Sequence, residues 1–74
     1  MIDRNLIATY KNATKEEICE WLKTQLPVSR LNKWGHAGFD EQGRYRWRLA
    51  IGEHDRRVLF YRKEDFMLFS MLWS

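Results

Sequence analysis

The fold is decided by Arg44-Tyr45-Arg46-Trp47-Arg48-Leu49-Ala50-Ile51, in which a polar or small residue alternates with a large apolar one over eight residues without a break. Successive side chains of a β-strand point to opposite faces of a sheet. A strand here therefore sends Tyr45, Trp47, Leu49 and Ile51 to one side, and Arg44, Arg46, Arg48 and Ala50 to the other. One side reads as core and the other as basic surface, and the remaining segments either cover the first or leave the second open.

After a turn at residues 52–55 comes a second run, Arg56-Arg57-Val58-Leu59-Phe60-Tyr61-Arg62. A hairpin over that turn sets Ile51 against Arg56, Leu49 against Val58, Trp47 against Phe60 and Tyr45 against Arg62. The two apolar sets coincide in this register, and a slip of one residue separates them. On the other face the same pairing gathers Arg44, Arg46, Arg48, Arg57, Leu59, Tyr61 and Lys63.

Upstream, Thr14-Lys15-Glu16-Glu17 has the form of a capping box, with a hydroxyl and a carboxylate placed to satisfy each other's backbone amides. The helix that follows runs from Lys15 to Gln25, with Ile18, Trp21, Leu22, Gln25 and Leu26 along one side. Pro27 stops it, having no amide to continue the ladder and disfavouring helical geometry at Leu26. Residues 28–34 read equally as loop or as a short second helix. Residues 35–39 lead into the turn Asp40-Glu41-Gln42-Gly43 and read as a short edge strand. Residues 6–10 read as a short strand, after a polar start at residues 1–5 that frays. Residues 64–72 read as a helix, because Leu and Met favour one and the acids Glu64 and Asp65 sit where a helix N-terminus prefers negative charge. Phe66, Phe69 and Trp73 form one ridge of it, and Leu68 and Leu72 the next.

These elements predict one α+β domain over residues 1–74: a three- or four-stranded, mainly antiparallel sheet covered on one face by the amphipathic helix and the short C-terminal helix. A chain of 74 residues buries barely enough surface to fold alone. Four Trp, four Phe and three Tyr supply the necessary apolar area, while the single Cys excludes an intrachain disulfide. Cysteine usage points to a reducing cytoplasm. No stretch has the make-up of a secretory leader, and the longest apolar run, residues 66–73, is too short to cross a bilayer.

The net charge of +3 is concentrated: residues 1–43 carry six cations and six anions, residues 44–63 seven against two, and residues 64–74 two anions only. A local field of one sign attracts anionic partners. The candidate partner-binding residues are Arg44, Arg46, Arg48, Arg57, Tyr61 and Lys63, since guanidinium groups pair bidentately with carboxylate or phosphate and Tyr61 offers a stacking surface.

Catalytic chemistry finds little to work with. Cys19 sits within the first helix without a neighbouring cation, where a thiol is packing material rather than a nucleophile. His36 and His54 occupy separate turns and form no metal-ligand spacing, the acid pairs lie in caps and turns, and the four glycines are dispersed. No catalytic residue, metal or other cofactor is expected.

The run Phe60-Tyr61-Arg62-Lys63-Glu64-Asp65-Phe66-Met67-Leu68-Phe69-Ser70-Met71-Leu72-Trp73 resembles the C-terminal ending of small phage-encoded accessory proteins of unassigned function. In those, a strand ending in aromatics and Arg is followed by Glu-Asp, a small residue, an apolar pair, Phe, and then Lys-Leu-Arg-Trp. This chain differs in having Phe66 where Ala is usual and Ser70-Met71-Leu72 where Lys-Leu-Arg is usual, which makes its last helix more apolar. The resemblance implies a phage accessory protein working in the host cytoplasm and names no chemistry.

The expected function is a non-enzymatic interaction module that binds and modulates, for instance inhibits, a host protein with an acidic surface through the basic sheet face. The second reading is an RNA- or single-stranded DNA-binding domain using the same arginines and Tyr61. No membrane contact is expected, and an exposed side of the last helix would serve a homodimer or a partner protein.

Overall fold

The computed structural model describes residues 6–73. The fraying expected of residues 1–5 lies outside the described residues. Five strands and two helices follow in the order β1 (Leu6–Thr9), α1 (Lys15–Gln25), β2 (Arg30–Leu31), β3 (Ala37–Phe39), β4 (Tyr45–Leu49), β5 (Arg57–Phe60) and α2 (Lys63–Trp73). The strands form one sheet in the order β1-β5-β4-β3-β2, with every neighbouring pair antiparallel.

The α+β class is as expected, but the strand count is five rather than three or four. The extra strand comes from residues read as loop or helix: the Ser29 amide donates to the Phe39 carbonyl (3.0 Å), and Arg30 and Leu31 pair with Phe39 and Gly38. This two-residue edge strand turns β3, expected at the edge, into an interior strand. Pro27 is what releases the chain from α1 to make that pairing.

Helix α1 begins and ends as the sequence dictates. The Glu17 amide donates to the Thr14 hydroxyl (3.1 Å) and the Thr14 amide to the Glu17 carboxylate (2.8 Å), which closes the capping box. Ile18, Leu22 and Leu26 are fully buried, Trp21 is half-buried, and Gln25, grouped with them by spacing, faces solvent. From α2, Phe69 is wholly buried, with the rings of Trp21 (5.7 Å between centroids), Phe60 (5.3 Å) and Tyr10 (6.4 Å) around it. One continuous core thus joins both helices to Ala8, Trp47, Leu49, Val58 and Phe60 of the sheet. Phe66 and Trp73 pack against it, whereas the second ridge of α2, Leu68 and Leu72, is exposed together with Met67 and Met71.

The β4–β5 hairpin has the expected register, with Trp47 opposite Phe60 and Leu49 opposite Val58. Trp47, fully buried, also donates its indole N–H to the Leu26 carbonyl (3.0 Å), which ties the central strand to the C-terminal end of α1. Strand β4 stops two residues short of Ile51. One further rung, from the Ala50 amide to the Arg57 carbonyl (3.1 Å), precedes the turn, and Ile51 is exposed rather than in the core. No helix among the described residues is long and apolar enough to cross a membrane.

Candidate binding face

The unbroken alternation of β4 conceals a β-bulge. Between β3 and β4, Gly38 pairs with Trp47 but the next residue, Phe39, pairs with Tyr45, so Arg46 is an extra residue opposite no partner. One added residue inverts the sense of everything before it. Trp47 and Leu49 face the helices, while Tyr45, opposite Phe39, faces the other way, and its ring meets that of Tyr61 edge-on at 6.0 Å. Tyr45 therefore leaves the core to which simple alternation assigns it, and its neighbour is Tyr61 rather than Arg62.

Arg46 makes the opposite move. Its Nε donates to Asp65 Oδ2 (3.0 Å), its Nη2 to Asp65 Oδ1 (3.4 Å) and its Nη1 to the Pro27 carbonyl (2.9 Å). Asp65, in the first turn of α2, is buried at 5% exposure. A carboxylate that deep is tolerable only when paired and hydrogen-bonded. Arg46 is the group that pairs it, holding the start of α2 and the end of α1 to β4. Of the six residues expected to bind a partner, Arg46 is thus withdrawn from the face.

The other five are exposed, in different settings. Arg44 lies over the Tyr61 ring at 5.1 Å, donates to the Tyr61 hydroxyl (3.3 Å) and to the Gln42 side-chain carbonyl, and pairs with Asp40 (3.4 Å). The hydrogen bond to Tyr61, reinforced by Asp40, keeps its guanidinium more firmly protonated than usual. Arg57 is clasped by Asp55 through two bonds of 2.8 and 2.7 Å. Arg48 stands across from Ala37 on one side and Leu59 on the other, and among the described residues nothing pairs with its guanidinium. Lys63 opens α2, off the strand face.

Residues that alternation did not single out complete the surface. Arg30 of β2 lies over the Phe39 ring at 5.2 Å. Together Arg30, Phe39, Tyr45, Tyr61 and Arg44 form a band of guanidinium and aromatic groups across β2, β3 and β4 to the end of β5, with Arg48, Leu59 and the exposed Ile7 continuing it along the sheet. The signal that could have found the bulge lies outside β4. It is Gly38, on the strand paired with β4, where an added Cβ would come within 2.7 Å of Val28 and 3.0 Å of Trp47.

Comparison of the chain with protein-family models, with curated proteins and with solved structures gives no match.

Proposed function

We propose that the chain is a non-enzymatic binding module whose open sheet face takes a partner protein that presents carboxylates. The observation that carries this reading is the band Arg30, Phe39, Tyr45, Tyr61 and Arg44, with Arg48 beside it, on the side of the sheet away from the buried cluster. Arginine and aromatic residues are the types enriched in protein interfaces, and they dominate binding energy where they cluster. The C-terminal resemblance supports a phage accessory protein acting on a host protein.

The charge arrangement favours protein over nucleic acid as the occupant. Arg44 and Arg57 are met by Asp40 and Asp55, and Arg30 and Arg44 lie over aromatic rings that a base would need for stacking. Phosphate-driven binding draws on uncompensated cations, which here are fewer than the sequence counts.

The test is affinity capture from a nuclease-treated bacterial lysate, with the wild type beside Arg48→Glu plus Tyr61→Ala. Both side chains are exposed, so the double variant should melt like the wild type. The expected result is one dominant protein retained by the wild type and lost by the variant. Retention by the folded variant moves the contact off this face, and binding of an oligonucleotide that collapses with added salt, with no protein captured, replaces the reading with nucleic-acid recognition.

A further inference from the structure

At one end of the sheet two turns stand up beside each other, and each displays a large apolar side chain to solvent. Trp34, in the turn between β2 and β3, is 69% exposed, and Ile51, in the turn between β4 and β5, is 66% exposed. Between and beside them lie two hollows of about 210 and 170 Å³ that share Trp34, His36, Leu49, Ala50 and Ile51; Arg48 lines the smaller one. Exposed apolar residues are common singly, but here an exposed Trp and an exposed Ile line the same two adjoining hollows.

Both lips are held by hydrogen bonds. The Asn32 side-chain oxygen accepts from the His36 amide (2.7 Å) and the Ala37 amide (3.3 Å), and the Gly35 amide donates to the Asn32 carbonyl (3.1 Å). Gly35 has a φ of 76°, a conformation in which a side chain is strained, so the residue after Trp34 is fitted to that tight turn. On the opposite lip the Asp55 amide donates to the Gly52 carbonyl (3.1 Å), and Lys15 of α1 donates to the carbonyls of Gly52 and Asp55. The floor is fixed by the Leu49 amide, which donates to the His36 carbonyl (2.7 Å). A depression built this way loses little freedom when it is filled, the condition under which apolar contacts turn into affinity.

We infer that this depression is the anchor point for the partner: a bulky apolar side chain of the bound protein inserts between Trp34 and Ile51, and a carboxylate next to it in sequence pairs with Arg48. The inference rests on the binding role proposed for the sheet face and narrows it to one end. The acidic neighbour follows from charge complementarity. Arg48 has no intrachain partner among the described residues, and Lys33 adds a second cation 5.6 Å from the centre of the Trp34 ring. Glu16 lines the larger hollow, on the side away from Arg48, which orients the carboxylate toward the smaller one.

The test uses the full chain with nitrogen-15 label and two acetylated, amidated peptides, Gly-Phe-Asp-Asp-Gly and Gly-Ala-Asp-Asp-Gly, titrated to millimolar concentration. The phenylalanine peptide should move the Trp34 indole and the Gly35 and Ile51 amide signals, and bind about tenfold more tightly than the alanine peptide, a ratio typical of losing one buried apolar anchor. Trp34→Ala and Arg48→Glu, both at exposed positions, should each abolish that response with the remaining spectrum intact.

Equal binding of the two peptides, or shifts at Tyr45 and Tyr61 without Trp34, overturns the anchor while leaving the sheet-face reading standing. No shift with either peptide also overturns it. Capture of a lysate protein by Trp34→Ala as strongly as by the wild type removes the anchor, whereas loss of capture in Tyr61→Ala alone, whose ring lines neither hollow, tests the sheet face separately.

Discussion

Arg46 and Arg48 stand two residues apart on β4 and have opposite roles. Arg46 is mostly buried, pairs with a buried aspartate and bonds the carbonyl that follows α1, whereas Arg48 is exposed and unpaired among the described residues. A guanidinium turned in by a bulge becomes a structural joint between strand and helices. One left on the regular part of the strand meets no carboxylate among the described residues and points outward. Charge counted along a chain thus overstates charge offered to a partner, and here the bulge and three aspartates make the difference.

The largest expected effect bears on the inner side of that strand. Trp47 is fully buried and its indole satisfies the Leu26 carbonyl, so Trp47→Ala should cost about 3 to 5 kcal/mol and leave so small a domain largely unfolded at room temperature. Urea denaturation followed by circular dichroism measures it. A variant with an unchanged midpoint would mean that the regular half of β4 does not face the core.

Next comes the contrast itself. Arg46→Ala removes the partner of a buried carboxylate and should cost about 2 to 3 kcal/mol, less than for a wholly buried pair because Arg46 keeps some contact with water. Arg48→Ala should stay within about 0.5 kcal/mol of the wild type. Equal effects would erase the distinction between the two arginines. Asp65→Asn in the Arg46→Ala background should recover part of the loss, since the stranded charge is then gone.

Gly38 tests the cause of the bulge. An alanine there would press its Cβ against Val28 and Trp47, and the branched Val28 side chain has little freedom to yield. Gly38→Ala should cost about 1 to 3 kcal/mol, the range for overpacking. If Trp47 and Val28 instead shift at no cost, the close approach of β3 to the core is not what places Trp47 inward and Tyr45 outward.

Much of this architecture is legible from residue patterns. The capping box at Thr14 and the stop at Pro27 delimit α1, because each satisfies or denies particular backbone groups. The β4–β5 register follows from matching apolar sets, and a one-residue slip would split them. The bulge is not legible from β4 alone, because inserting a residue into a strictly alternating run leaves the pattern looking regular while inverting one half of it. Alternation therefore puts Tyr45 in the core and Arg46 on the open face, whereas the bulge turns Tyr45 out and Arg46 in. Strand β2, and with it Arg30, leaves no mark in the sequence because two residues carry no periodicity, and Ile51 is exposed because a hairpin can turn before its apolar pattern ends.

The smallest effect concerns the aspartates that neutralise the face. The Asp55 carboxyl is held below its ordinary value, chiefly by the hydrogen bonds from Arg57. Asp40 is shifted the same way: burial pushes it up, but the amides of Arg44 and Gln42, and the Arg44 guanidinium, more than offset that. A carboxyl with a depressed folded-state pKa stabilises the fold fully above its unfolded pKa, about 4, and that contribution is lost as pH falls through the lower folded value. The stability difference between wild type and Asp55→Asn should therefore be small and constant near neutrality and shrink below pH of about 4, whereas Arg48→Ala should track the wild type throughout. In both pairs the arginine is exposed and the aspartate partly so, and added salt should narrow the neutral-pH difference as well. A gap that widens on acidification would mean that Asp55 is not the anion holding Arg57, and Arg57 would then join Arg48 as a cation available to the partner.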